Sequence, residues 1–267
     1  MGAAQPAGLA ILVAKVQVLD SRGQRLSDCP RERAQKLVTE GQAQWLDDAH
    51  RAIRLQRAVS LPEPTPPPDP RTLLGKKVLL HICCAPCATY TVAHLRHLGA
   101  EVTGFWYNPN IHPYGEHELR RESLLRYADE IPLPMIWEPG YEMVAYFRAV
   151  VGHETFGERC RICYRQRLER TAQRASELGM DRFSTTLLIS PYQDLEAIQA
   201  IGQSLNEGGG AQFYYENMRR GFSAHHSLAR EHDLYQQRFC GCLYSEWESR
   251  DRNASTHRRP DRDDASS

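Results

Sequence analysis

The chain carries no net charge: 33 Lys and Arg balance 33 Asp and Glu over 267 residues. It has no global basic field to attract nucleic acid, so any such binding has to come from local patches. Long apolar runs are missing as well. The stretch at residues 8–14 falls far short of the roughly 20 residues needed to span a bilayer. It also lacks the basic leader and small-residue cleavage site of a secretory signal, so a cytoplasmic protein with no membrane partner is expected.

What the sequence does have is clustered cysteine. Eight occur: Cys29, Cys83, Cys84, Cys87, Cys160, Cys163, Cys240 and Cys242. In a cytosolic chain a disulfide framework explains them poorly, because the compartment keeps structural thiols reduced. All but Cys29 fall into tight groups, and clustered cytosolic cysteines point to metal or redox chemistry.

The run Leu61–Pro70 is dominated by proline and favours extended polyproline structure. Four segments are therefore expected: a small α+β module at 1–60, a linker at 61–72, the main domain at 73–246 and a polar, disordered tail at 247–267. In the first module a strand is expected over Ile11–Leu19, then a turn at Asp20–Gly23. A helix follows with Asp28 as N-cap, Pro30 near its first turn and Gly41 as its stop; short strands lie near Ala43–Leu46 and Ala52–Leu55.

In the main domain short apolar strands alternate with amphipathic helices. Strands are expected at Lys77–Ile82, Glu101–Tyr107, Met135–Trp137, Arg182–Ile189 and Gln212–Tyr215. Helices are expected at Ala88–Leu98, His117–Glu130, Tyr141–Val151, Cys160–Leu178 and Gln193–Leu205. Continuous apolar strands in β-α-β order predict an α/β fold, a parallel sheet flanked by helices. Ligands on such sheets sit beyond the carboxyl ends of the strands.

The first cysteine group, His81-Ile-Cys-Cys-Ala-Pro-Cys87, falls where the first main strand meets a helix. Thiols in that turn face unpaired N–H groups, which lowers their pKa and suits an anionic ligand set. Cysteines stand where a nucleotide-binding sheet would place phosphate-cradling glycines, which argues against ATP-dependent thiolation. The second group, Cys160-Arg-Ile-Cys163, puts two thiols on one face of a helical turn. Beyond it Leu168, Ala172 and Ala175 form a core stripe, while Arg167, Arg170 and Arg174 offer a candidate phosphate-contacting stripe. The third group, Cys240-Gly-Cys242, suits either a strained, labile disulfide or a ligand pair for a second metal. The first two groups hold enough thiols for one Fe–S cluster or one zinc. The adjacent cysteine pair and the Cys-Gly-Cys pair favour iron.

Five motifs, LLHICCAPC, WYNPNIHPYGE, CRICYRQRLERTA, FSTTLLISPYQD and YQQRFCGCLYS, occur in that order between Lys77 and Glu246. With them this region resembles the QueH-type epoxyqueuosine reductase family. The resemblance implies a HUP-like α/β domain and a cobalamin-independent reductase that converts epoxyqueuosine in tRNA to queuosine, the last step of that nucleoside's synthesis. It implies a [4Fe–4S] cluster held by Cys83, Cys84, Cys160 and Cys163, with an additional mononuclear iron beside it. Cys240 and Cys242 match the redox-active pair. Cys87 lies where the family also carries other residues, so its role stays open, as does that of Cys29. Asn217 stands where the family tends to have Asp, which weakens any ligand or proton-donor role there. The implied partners are tRNA bearing epoxyqueuosine in its anticodon loop and an electron donor of unknown identity.

The N-terminal segment weakly resembles the RRXRR or PLMP module, through VQVLDSRGQRL, RAQKLVTEGQAQ and RAIRLQ. That resemblance makes Arg31, Arg33, Lys36, Arg51 and Arg54 candidate RNA contacts. Tyr107, His112, Tyr114 and Tyr192 are candidate acids for the leaving epoxide oxygen. Trp106, Tyr107, Tyr114, Tyr164 and Tyr214 are candidate stacking surfaces for a splayed nucleotide. The alternative reading is a zinc-stabilised RNA-binding protein without redox activity, which leaves the Cys-Gly-Cys pair unexplained.

Overall fold

The structure, a computed structural model, describes residues 15–56 except 24 and 27, residue 69, and residues 71–251. The apolar stretch at 8–14, most of the proline-rich linker and the tail beyond 251 lie outside the described residues. The chain divides into two compact units, Met1–Pro67 and Pro68–Ser267.

In the first unit, β1 (Lys15–Leu19), β2 (Cys29–Pro30), α1 (Arg31–Thr39), β3 (Ala43–Trp45) and β4 (Ala52–Leu55) build a four-stranded sheet in the order β2-β1-β4-β3. Alternation puts Val16, Val18, Ala43 and Ile53 on the covered face, where they pack with Ala34 of α1 and with Cys29. Cys29 is thus a core residue. Gly23 closes the turn after β1 at φ +83° and Gly41 follows α1 at φ +72°, both in the left-handed region where a side chain is strained. The expected cap is corrected: Pro30 occupies the N-cap position of α1, and Asp28 lies upstream of it.

The second unit holds β5 (Lys77–His81), α2 (Ala85–His97), β6 (Glu101–Trp106), α3 (Tyr114–Glu130), β7 (Met135–Trp137), α4 (Met143–Val150), α5 (Glu158–Glu177), β8 (Arg182–Thr185), α6 (Leu195–Ser204), β9 (Gln212–Phe213), α7 (Phe222–Glu231) and α8 (Leu243–Arg250). The strands form one all-parallel sheet in the order β7-β6-β5-β8-β9. Val78, Leu79 and Leu80 of the central strand are wholly buried, as expected of a sheet covered on both faces. α5 packs on β5, β8 and α6, while α2 packs on β6, α3 and α7. Leu168 and Ala175 of α5 are fully buried and Ala172 nearly so, the apolar stripe expected from their spacing.

Some boundaries differ from expectation. The strand expected over Arg182–Ile189 ends at Thr185, because Thr185 caps a 3-10 turn by accepting from the Leu187 N–H. α7 and α8 go beyond the expected elements. α8 also corrects the tail boundary: ordered helix runs through Arg250, and Glu248 is buried. No helix among the described residues is long and apolar enough to cross a membrane.

Candidate active site

The chain leaves β5 through Ile82, whose N–H still bonds to the Phe105 carbonyl, and then reaches Cys83. Cys84 is the N-cap of α2, with φ −169° and ψ 158°. Ala85, Pro86 and Cys87 form the first helical turn, so the helix starts earlier than the expected Ala88. Pro86 is tolerated because its missing N–H would have no intrahelical partner there. This geometry brings Cys83, Cys84 and Cys87 together, with their sulfurs all within 4.8 Å of one another and all three residues buried.

The three thiols differ electrostatically. Hydrogen bonds from Cys84 and Cys87, then one from Thr186, hold Cys83 well below the usual thiol value despite burial. Burial, followed by the bond to Cys83, pushes Cys84 up. Bonds to Cys83 and Cys84 push Cys87 up. Of the three, Cys83 is the thiol whose anion the surroundings favour most. Thr186 fixes its position: the Cys83 N–H donates to Thr186 Oγ1 at 3.1 Å, and the hydroxyl donates back to Cys83 Sγ at 3.3 Å. Gln237 Nε2 donates to Cys84 Sγ at 3.1 Å.

His81 ties three strand ends together. Its Nε2 donates to the Tyr107 carbonyl at 3.2 Å, which leaves Nδ1 to accept from Thr185 Oγ1 at 2.9 Å. Burial, then the nearby Arg167 cation, lowers it to about 4. It is a neutral packing residue.

Beyond the carboxyl ends of β5 and β8 lies a cavity of about 600 Å³, lined by Cys83, Cys87, Cys160, Cys240 and Cys242 among others. All three cysteine groups therefore border one space. Cys160 and Cys163 stand outside the Cys83–Cys84–Cys87 triangle. Cys163 is buried with Cys242 against Tyr146 and Val150. Burial raises Cys160 to about 11 and pushes Cys163 and Cys240 up as well.

The Cys-Gly-Cys loop is held by Arg120, which is buried in α3. Its Nη1 and Nη2 donate to the Cys240 and Phe239 carbonyls, each at 3.0 Å, and its Nε donates to Glu116 Oε1 at 2.7 Å. The His112 N–H donates to the Gly241 carbonyl at 2.7 Å. Gly241 has φ +146°, and a Cβ there would sit 3.2 Å from Ile111 Cγ1, so glycine is required. Gln193 Nε2 donates to Cys240 Sγ at 3.5 Å, while the Tyr164 hydroxyl donates to Gln193 Oε1. Cys240 and Cys242 are free thiols in this structure.

The arginine stripe expected on α5 loses its first member. Arg167 is buried, with Nε donating to the Cys163 carbonyl at 3.2 Å. Arg170 pairs with Glu138, and Arg174 with Glu177. Of the candidate acids, only Tyr192 lines the cavity, and it is 72% exposed. The Tyr107 hydroxyl donates to Glu142 at 2.6 Å, and His112 is packed against Phe147 and Tyr146. Trp106 and Tyr164 are core residues with no stacking face to offer, and Tyr214 is bonded to Glu216. Asn217 is exposed and caps the Arg219 N–H, outside the cavity lining. In the first unit Arg31, Arg33, Lys36, Arg51 and Arg54 are all exposed, and Lys36 pairs with Glu40.

His225 and His226, whose rings lie 4.0 Å apart between centroids, also line the cavity and were missed in the sequence. Their adjacency was the available signal, without a recognised helix to place them on.

The donor set suits a thiolate-bound metal group. Three sulfurs converge within 4.8 Å, hydrogen bonds hold one of them below the usual thiol value, and Nη2 of the buried Arg167 has no hydrogen-bond partner among the described residues. Burial opposes the Arg167 charge, yet Cys163, Cys240 and Cys83 together hold it above its usual value. Soft sulfur donors select zinc or iron–sulfur groups over hard cations.

Comparison with known proteins identifies the family. A family model described as "Epoxyqueuosine reductase QueH" matches residues 78–248. A protein named epoxyqueuosine reductase QueH from Dehalococcoides mccartyi is 38% identical over 175 residues, covering 66% of this chain and 95% of that one. Its namesake from Thermotoga maritima is 37% identical over 189 residues, covering 68% and 96%. Among solved structures, a U34-tRNA thiolase from Methanococcus maripaludis overlaps 68% of this chain and 65% of its own, with a TM-score of 0.48 and 12% identity. On the family match and these identities, the chain belongs to the epoxyqueuosine reductase QueH family.

Proposed function

We propose that this chain reduces the epoxide of epoxyqueuosine, carried in the anticodon loop of tRNA, to give queuosine and water without cobalamin. The observation that supports this best is the single cavity beyond the sheet edge that Cys83, Cys87, Cys160, Cys240 and Cys242 all line. Cys83, Cys84, Cys160 and Cys163 are the proposed ligands of a [4Fe–4S] cluster. Cys87, the third corner of the thiol triangle, is left for an adjoining mononuclear iron. Bound there, the cluster supplies single electrons.

Removing the epoxide oxygen as water consumes two electrons and two protons. The Cys240 and Cys242 dithiol, closing to a disulfide, releases that same number of each, and an outside electron donor must reopen it. Arg120 and the Gly241 backbone hold the two sulfurs on one short loop. Gln193 hydrogen-bonds Cys240 and orients its thiol. Tyr192, at the exposed rim, is the proposed proton donor to the departing oxygen.

The test is anaerobic purification followed by incubation with epoxyqueuosine-containing tRNA and a chemical reductant. A brown protein that absorbs broadly near 400 nm and converts the nucleoside is expected. A colourless, zinc-loaded protein with no conversion would sink the proposal.

A further inference from the structure

Three arginines of the second unit, Arg120, Arg159 and Arg167, are 1%, 3% and 1% exposed. A buried cation is tolerated only where an anion answers it. Arg120 has Glu116 at 2.7 Å and Arg159 has Glu248 at 2.6 Å. Arg167 has no carboxylate partner among the described residues, and its Nη2 is left without a hydrogen bond there. Burial opposes its charge, while Cys163, Cys240 and Cys83, one from each cysteine group, and Tyr164 favour it.

The position follows from the helix. Arg167 stands four residues after Cys163, so the two share a face of α5 one turn apart. Its Nε is tied to the Cys163 carbonyl, and its own carbonyl accepts from Thr171 Oγ1 at 2.6 Å. The guanidinium is thereby anchored beside Cys163, inside the second cysteine group. Beyond that carbonyl, no carboxylate among the described residues answers its charge. Its charge is justified once the sulfurs carry negative charge together.

We propose that Arg167 is a positioning residue that serves as the fixed counter-charge of the sulfur-bound cluster and raises its reduction potential. This rests on the function proposed above. Reduction adds one negative charge to the cluster, and a buried cation beside it stabilises the reduced state more than the oxidised one. The same charge reaches Cys240, so it links the electron-storing thiol with the cluster ligands. Lysine is not an equivalent replacement, since its ammonium lacks the planar, multi-donor head.

The test is a spectroelectrochemical titration of full-length, anaerobically purified wild type, R167Q and R167K, following visible absorbance and the EPR signal of the reduced state. At the wild-type midpoint, R167Q is expected to lower the ratio of reduced to oxidised cluster by about tenfold, equivalent to about 59 mV for one electron. R167K is expected to fall between the two. A ratio for R167Q within twofold of wild type overturns the proposal. Where R167Q proves insoluble, R167M, equally uncharged, takes its place under the same criterion. Wild-type protein lacking iron and visible absorbance instead removes the reductase reading itself, and Arg167's role with it.

Discussion

Arg159 and Glu248 form a buried ion pair across 89 residues of sequence, with Arg159 Nη2 at 2.6 Å from both carboxylate oxygens. Arg159 adjoins Cys160 at the start of α5, and Glu248 lies on α8, so the pair fastens the last helix to the wall of the cysteine cavity. Both residues line that cavity. Replacing Glu248 with Gln leaves a buried guanidinium without its carboxylate. A loss of about 3–5 kcal/mol is expected, measured by urea denaturation. A loss below about 1 kcal/mol, the range of an exposed pair, would show that the pair is open to solvent.

Gly241 admits no side chain. At φ +146° an alanine is strained, and its Cβ would press on Ile111 at 3.2 Å. Gly241→Ala is expected to cost about 1–3 kcal/mol and to displace Cys240 and Cys242 from the cavity wall. Thermal denaturation and turnover should fall together. Wild-type turnover in this variant would mean that the loop geometry is irrelevant to the chemistry.

Cys240→Ser separates the redox pair from the metal ligands. It should abolish turnover while leaving cluster absorbance and iron content at wild-type levels. If iron is lost along with activity, Cys240 is a ligand. If full activity persists, the dithiol has no part in the reduction.

His112 sets a pH dependence on stability. Burial lowers it to about 4, so between that value and the ordinary imidazole range the unfolded chain takes up a proton that the folded chain refuses. Its contribution is complete above about pH 6.5 and drains away as pH falls toward 4, reaching a loss of about 2 kcal/mol by pH 5. His81, His117 and His225 are also lowered, chiefly by burial. The difference between wild type and His112→Phe therefore isolates the one ring, which stacks on Phe147. Denaturation curves at pH 7.5, 6 and 5 should show that difference shrinking with acid. A constant difference would mean that the folded chain protonates His112 as readily as the unfolded chain does.

The sheet and the three cysteine groups were legible in the sequence because both depend on local pattern. Val78, Leu79 and Leu80 announce a strand buried on both faces, and Cys160 and Cys163 share a helical face by spacing alone. What escaped depends on partners distant in the chain. Arg167 looks like one of several surface arginines until the fold buries it against Cys163 with no carboxylate partner among the described residues. Glu248 sits in a stretch whose polarity suggests disorder, and its ordering comes from Arg159, far upstream. Cys87 reads as a turn residue, yet Pro86 suits the first turn of α2 and puts that thiol into the triangle. α7 escaped because its ten residues place only His225 and Ala229 in the interior, too few to announce a period.

α5 carries Cys160, Cys163 and Arg167 on consecutive turns of one rigid rod, and that imposes a reading frame on the protein. One extra residue between Cys163 and Arg167 would swing everything after it by about 100°, turning the guanidinium away from the sulfurs while the core stripe of Leu168, Ala172 and Ala175 rotated out of register. Insertions within this helix should therefore be among the least tolerated changes in the molecule, even where each individual residue replaced tolerates substitution.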